Sequence, residues 1–112
     1  MNLIQGTRLI YKDQIFISLG PVVQSSKIIG YDVRHEDNQS KDYVHLSIET
    51  LSDGFLIPSE EKIEIKNQLF VILGVKYVGF KPFEYLIKDC KTEKIKYYAK
   101  SRIDKAHIKW KS

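Results

Sequence analysis

Residues 8–20, with the sequence RLIYKDQIFISLG, contain two short apolar runs on either side of Lys12-Asp13. Both runs are rich in β-branched and aromatic side chains, which favour strands. Asp13 tolerates the left-handed backbone conformation that a tight hairpin turn requires. The segment therefore predicts a β-hairpin.

Residues 62–74, with the sequence KIEIKNQLFVILG, match this segment at an offset of 54 residues. The identities continue through Lys27/Lys81 and Tyr31/Tyr85, which indicates an internal duplication. The offset must slip near residue 40 or 94, because the apolar positions of the next strands fall on opposite faces. We therefore predict two similar halves, residues 1–57 and residues 58–112.

Short apolar runs recur about every ten residues along the chain, which is typical of an all-β domain. Each half contains a hairpin, a third strand, a polar loop, a fourth strand and a short closing strand. This pattern resembles the SH3-like class of small barrels, although no motif of a particular family is present. We predict a small antiparallel barrel architecture with two tandem SH3-like halves. The halves should share an interface, because a unit of this size buries only about 60% of its unfolded surface.

The two predicted hairpins also suggest a core. Alternation along their second strands places Ile15 and Ile17 on one face, and Leu69 and Val71 on the corresponding face of the second half. We expect these four side chains to be largely buried.

The charge of +4 is unevenly distributed over the 112 residues. Residues 1–90 hold 10 Lys/Arg and 12 Asp/Glu, a net −2, while residues 91–112 hold 8 and 2, a net +6. Such a basic end attracts nucleic-acid phosphates, acidic protein surfaces or anionic lipids. Charges interrupt the first twenty residues, so we expect no secretory or membrane-spanning segment there. A single cysteine, Cys90, favours a reducing, cytoplasmic location.

The chain contains no Gly-rich phosphate loop, cysteine pair, HExxH or GxSxG motif. We therefore expect no enzymatic activity, no cofactor and no metal. His35, Glu36, Asp37 and His45 form the strongest candidate metal set, but most of them lie in a polar loop. Cys90 has lysines nearby and no evident general base.

Residues 94–103 carry the strongest functional signal. With a strand period of two, four cations and one aromatic ring share a face, and the opposite face carries Ile95, Tyr97, Ala99, Ser101 and Ile103. Charges on alternate strand positions are about 6.5–7 Å apart, close to the phosphate spacing of a nucleic-acid strand. The predicted binding residues are Lys94, Lys96, Tyr98, Lys100 and Arg102, extended by Lys105, Lys109 and Trp110. The alternative is an edge strand that its lysines protect from aggregation. Residues 101–110 are also the best helical candidate of the chain, because Ile103, Ala106, His107 and Trp110 stand at helical spacing.

Two functions follow from these features. In the first, the protein is a non-catalytic nucleic-acid-binding accessory module that uses its basic C-terminal strand. In the alternative, it is a protein-interaction module or inhibitor that binds through an aromatic groove between the halves. The partner would accordingly be nucleic acid or an acidic protein, with no membrane partner. The tyrosines considered for the groove are Tyr11, Tyr31, Tyr43, Tyr77 and Tyr85.

Overall fold

A computed structural model describes the backbone of residues 3–37, 42–105 and 108–111, and the side chains of residues 3–37 and 42–103. The chain divides into two compact units. Unit 1 comprises Met1–Ile57 and Tyr77–Lys81, and unit 2 comprises Pro58–Lys76 and Pro82–Ser112.

The described part of unit 1 contains five strands and one short helix. They are β1 Arg8–Tyr11, β2 Gln14–Gln24, β3 Lys27–His35, β4 Val44–Ser47, α1 Ile48–Ser52 and β5 Phe55–Pro58. The antiparallel order is β5-β1-β2-β3-β4. The Ser47 hydroxyl caps α1 by accepting a hydrogen bond from the Thr50 N–H group at 3.1 Å.

Unit 2 repeats this succession of elements. They are β6 Lys62–Ile65, β7 Gln68–Val78, β8 Lys81–Asp89, β9 Ile95–Ala99, α2 Lys100–Lys105 and β10 Ile108–Lys111. Their order, β10-β6-β7-β8-β9, is the order of unit 1. The described strands form one antiparallel sheet that is not closed into a barrel. The prediction of an antiparallel, β-rich fold is confirmed, whereas the barrel and its SH3-like halves are not.

Tight turns explain where the hairpins form. Lys12 and Asp13 have φ values of 49° and 62°, and Lys66 and Asn67 have φ values of 49° and 66°. Two consecutive residues with positive φ give a type I′ turn, whose twist matches that of the flanking strands. The registers Leu9↔Phe16 and Ile63↔Phe70 differ by the same 54 residues. The hairpin predicted at Lys12-Asp13 is confirmed.

The offset slips between the third and fourth strands of each unit. Tyr31 pairs with Leu46 in unit 1, and Tyr85 pairs with Tyr98 in unit 2. The offset is therefore 54 for the third strands and 52 for the fourth strands. A slip of two residues keeps every side chain on its original face, so Tyr98 takes the inward position of the buried Leu46.

The buried faces of β2 and β7 are opposite to those expected from the sequence. Phe16, Ser18 and Ile72 are buried, whereas Ile15 and Leu69 are each 38% exposed. Ile17 and Val71, also expected in the core, are half-buried. The expectation was wrong because both faces of these strands carry apolar side chains, so alternation alone does not select one. The remaining buried apolar residues of unit 1 are Leu3, Leu9, Tyr31, Val33, Leu46, Leu51 and Phe55.

The tip of the β7–β8 hairpin completes the core of unit 1. Phe55 stacks on Tyr77 with a centroid separation of 5.4 Å and meets Phe80 edge-on at 5.5 Å. Phe80 also lies 6.3 Å from the ring of Tyr31. The Gly79 N–H group donates to the Ser52 carbonyl at 2.9 Å. Unit 1 therefore requires residues 77–81 in addition to its own half of the sequence.

Candidate functional site

The basic segment 94–103 is a strand followed by a helix, not one continuous strand. Strand β9 ends at Ala99, and Lys100 and Arg102 lie on α2. Ile95 and Tyr97 are 55% and 51% exposed, whereas Ile103 is buried, so the single face predicted for these residues is wrong. The strand ends before Ile103, and the two-residue slip keeps Tyr98 in register with a buried position of unit 1.

Tyr98 is half-buried against the core of unit 2. That core is formed by Ile63, Ile72, Ile87 and Ile103. Arg102 follows Tyr98 by four residues, and its guanidinium carbon lies 5.7 Å from the centroid of the tyrosine ring. This distance is within the range of a cation–π contact. The turn from strand into helix therefore keeps Arg102 beside Tyr98.

Two adjoining cavities open on the inward side of β9. The smaller, of about 70 Å³, is lined by Lys94, Lys96 and Tyr98 among other residues. The larger, of about 270 Å³, is lined by Tyr98, Arg102 and Ile103, and by Lys66 and Gln68 of the β6–β7 hairpin. Both also contact Phe70 and Ile87. We call the two cavities together the unit 2 cleft.

The cleft combines apolar ring surface with cations. Phe70 and Tyr98 supply the rings, and the cations are Lys66, Lys94, Lys96 and Arg102. The charge of unit 2 as a whole is also positive, since its 12 Lys/Arg and 7 Asp/Glu give +5, against 6 and 7, or −1, in unit 1. A site of this composition suits an anion that carries planar groups.

Among the residues whose side chains are described, Asp89 is the one acidic residue that lines the cleft. Its carboxylate accepts hydrogen bonds from the N–H groups of Lys91 at 2.8 Å and Thr92 at 3.3 Å. The hydrogen bond from the Lys91 N–H group is the main reason why the pKa of Asp89 is lowered. Asp89 therefore remains ionised and holds the turn that carries Lys94.

Sequence reasoning found only part of this cleft. The structure brings together four predicted residues, Lys94, Lys96, Tyr98 and Arg102, whereas Lys100 does not line either cavity. The side chains of Lys105, Lys109 and Trp110 lie outside the described residues. Lys66 and Phe70 were not predicted as site residues, although the sequence had already placed both of them in the second hairpin.

The residues of unit 1 that match Tyr98, Arg102 and Phe70 carry no charge. Leu46 stands in the place of Tyr98, and Thr50 stands in the place of Arg102. Phe16, the counterpart of Phe70, is 5% exposed and lies 4.6 Å from the ring of His35. A shared backbone pattern therefore supports a filled core in unit 1 and an open, basic cleft in unit 2.

The other candidates from the sequence do not assemble into a site. His45 Nδ1 lies 3.1 Å from an Asp32 carboxylate oxygen, while the ring of His35 packs on Phe16. Across residues 3–37 and 42–103, no three His, Cys, Asp or Glu side chains are grouped so as to hold a metal ion. Cys90 is exposed. Tyr31, proposed for an aromatic groove, is 2% exposed and belongs to the core.

Comparisons with protein families, with curated proteins and with solved structures find no match to this chain. Within the described residues, no helix combines the length and apolar character needed to cross a membrane.

Proposed function

We propose that the protein is a non-catalytic nucleic-acid-binding module and that the unit 2 cleft is its binding site. The observation that carries this proposal is that Lys94, Lys96, Arg102 and Lys66 line the same cleft as the ring of Tyr98. Cations attract phosphates and aromatic rings stack with bases, so one cleft provides both contacts. A nucleic-acid ligand and a lone cysteine both fit a cytoplasmic location.

A single strand suits this cleft better than a duplex. The Tyr98 ring is half-buried, so only an unpaired base inserted from the strand reaches it. The larger cavity, at about 270 Å³, is close to the lower end of the size range of small-ligand pockets. The exposed cations at the rim then follow the backbone on either side of the inserted base.

The phosphate contacts are tested by measuring binding of a labelled ten-nucleotide single strand between about 50 and 200 mM salt. We expect affinity to fall as salt rises, because each neutralised phosphate releases counterions. Lys96→Ala and Arg102→Ala should each reduce the salt slope by about 0.7 for a single strand. Unchanged slopes in both variants would place the cations outside the interface.

Lys66 has a matched control. Lys12 occupies the same turn position in unit 1 and has the same φ of 49°. Lys66→Ala should weaken binding, whereas Lys12→Ala should leave it nearly unchanged. Equal losses in the two variants would indicate a general effect of charge and not a site in unit 2.

The ring contact is tested with Tyr98→Leu, because leucine is the residue that fills this position in unit 1. This substitution keeps an apolar side chain in the core and removes the stacking surface. Binding of the single strand should weaken by about 1–3 kcal/mol, while binding to a duplex should change little. If no nucleic acid is retained even at 50 mM salt, the basic segment is a solvated face that protects a sheet edge.

An internal duplication is the proposed origin of the two units. Its support is the common strand order, the equal registers of the first hairpins and the matching φ values at the turns. We further propose that each half, 1–57 and 58–112, descends from an SH3-like unit whose closing strand pairs with its first strand. Binding would then be a property that only the second half acquired.

A further inference from the structure

The outer edge of β9 is a second surface in unit 2; it shares Lys94 and Lys96 with the cleft and adds the exposed residues Ile95 and Tyr97. Among the described strands, β8 is the one strand that pairs with β9. The Asp89 N–H group donates to the Lys94 carbonyl at 2.9 Å, and the register continues through Ile87↔Lys96 and Tyr85↔Tyr98. Hydrogen-bonded and non-hydrogen-bonded pairs alternate in an antiparallel ladder. The backbone N–H and C=O groups of Lys96 and Tyr98 therefore form hydrogen bonds with β8. The backbone N–H and C=O groups of Ile95 and Tyr97 point away from β8.

The same two residues carry the exposed apolar side chains of β9. Ile95 is 55% exposed and Tyr97 is 51% exposed, and Lys76 lies 5.5 Å from the centroid of the Tyr97 ring. Free backbone groups and apolar side chains thus coincide at Ile95 and Tyr97. An added strand gains affinity from main-chain hydrogen bonds and specificity from alternate side chains.

We propose that β9 accepts an extended segment of a partner protein as an additional antiparallel strand, and that this segment alternates acidic and apolar residues. The apolar residues lie beside Ile95 and Tyr97, and the acidic residues lie beside Lys94 and Lys96 on the other face of the strand. Charge complementarity selects this occupant. A second copy of β9 would bring its own lysines to the same face, and like charges across strands are destabilising.

The probe is a fluorescent six-residue peptide in which glutamate and valine alternate. Its control has three glutamates followed by three valines, which keeps composition and charge but breaks the alternation. We expect the alternating peptide to bind the full chain at least tenfold more tightly than the control. In the saturated complex, the amide protons of Ile95 and Tyr97 should become protected from exchange, while those of Lys96 and Tyr98 are protected with and without peptide.

Tyr97→Pro is the most specific variant, because it removes an N–H group that points outward. No hydrogen bond to β8 is lost in this variant. Peptide affinity should fall at least tenfold, with the Lys96 and Tyr98 amides still protected. Tyr97→Ser keeps the N–H group and should cause a smaller loss. Val23→Ser removes a side chain of similar exposure, 60%, from unit 1 and should change nothing.

Three results would overturn the proposal: equal affinity for the two peptides, wild-type affinity in Tyr97→Pro, or unprotected Ile95 and Tyr97 amides in the complex. The test is also independent of the proposed nucleic-acid function. Arg102→Ala should leave peptide affinity unchanged, and a bound oligonucleotide should not protect the Ile95 and Tyr97 amides.

Discussion

Phe80 combines a strained backbone with a stabilising side chain, and substitutions at this position separate the two effects. Its φ is +60°, and it follows Gly79 in the tight turn between β7 and β8. A left-handed conformation costs an L-residue about 1–2 kcal/mol. The ring offsets this strain by packing on Phe55 and Tyr31 in the core of unit 1.

Phe80→Ala removes the ring and keeps the strain. The two ring pairs contribute about 0.5–1.5 kcal/mol each, and partial burial of the ring adds about 1–2 kcal/mol. We therefore expect the free energy of unfolding to fall by about 2–5 kcal/mol.

Phe80→Gly removes the same ring and also relieves the strain. Glycine gains about 1–2 kcal/mol at positive φ but loses about 0.4–1 kcal/mol through the greater entropy of its unfolded chain. The difference between these ranges is about 0–1.6 kcal/mol with a centre near 0.8 kcal/mol, so the glycine variant should be the more stable of the two. This order is the reverse of the usual effect of glycine in a folded element.

The assay is urea unfolding of each variant, followed by circular dichroism and extrapolated linearly to water. Ser26, with a φ of 64°, occupies the matching turn position between β2 and β3 and is exposed. Ser26→Gly should exceed Ser26→Ala in stability by a similar amount, without any loss of ring contacts. The reasoning is refuted if Phe80→Ala costs less than about 0.5 kcal/mol, or if glycine is the less stable substitution at both positions.

Two further predictions concern polar groups. The buried Ser18 hydroxyl donates to the Leu3 carbonyl at 2.8 Å and accepts from the Gly20 N–H group at 3.1 Å. Ser18→Ala should therefore cost about 1–3 kcal/mol in urea unfolding, and a neutral result would mean that neither bond contributes. The lowered pKa of Asp89 means that its stabilising effect is present above the unfolded pKa and is lost as pH falls through the folded pKa. An NMR titration should give a midpoint below that of an ordinary aspartate, with the Lys91 and Thr92 amide shifts following it, and an ordinary midpoint would contradict this account.

Local chemistry determined the hairpins and the β-rich class. Asp13 and Asn67 tolerate positive φ, and the apolar runs beside them favour strands, so each hairpin is specified within about a dozen residues. The alternation of side chains between the two faces of a strand is equally local. It was therefore enough to place Lys94, Lys96 and Tyr98 on one face. These features need no information from distant parts of the chain.

Tertiary structure decided which face is buried. In β2, Ile15, Phe16 and Ile17 are all apolar, and only the packing around Phe16 determines that its side is the inner one. In β9, the two-residue slip in offset and the pairing with β8 place Tyr98 inward and leave Tyr97 outside. A strand with apolar residues on both sides carries no local signal for this choice.

The cleft also depends on contacts between distant segments. Arg102 reaches Tyr98 because the chain turns into α2 after Ala99, and Lys66 and Phe70 join them from the β6–β7 hairpin. The alternation of side chains predicted a strand that continues to Ile103. Lys100 and Arg102 fit this alternation as well as they fit a helix. The sequence by itself determined the residue types, the hairpins and the basic end of the chain. Only the tertiary structure brought rings and cations into one cleft, because burial depends on neighbours that lie far apart in the sequence.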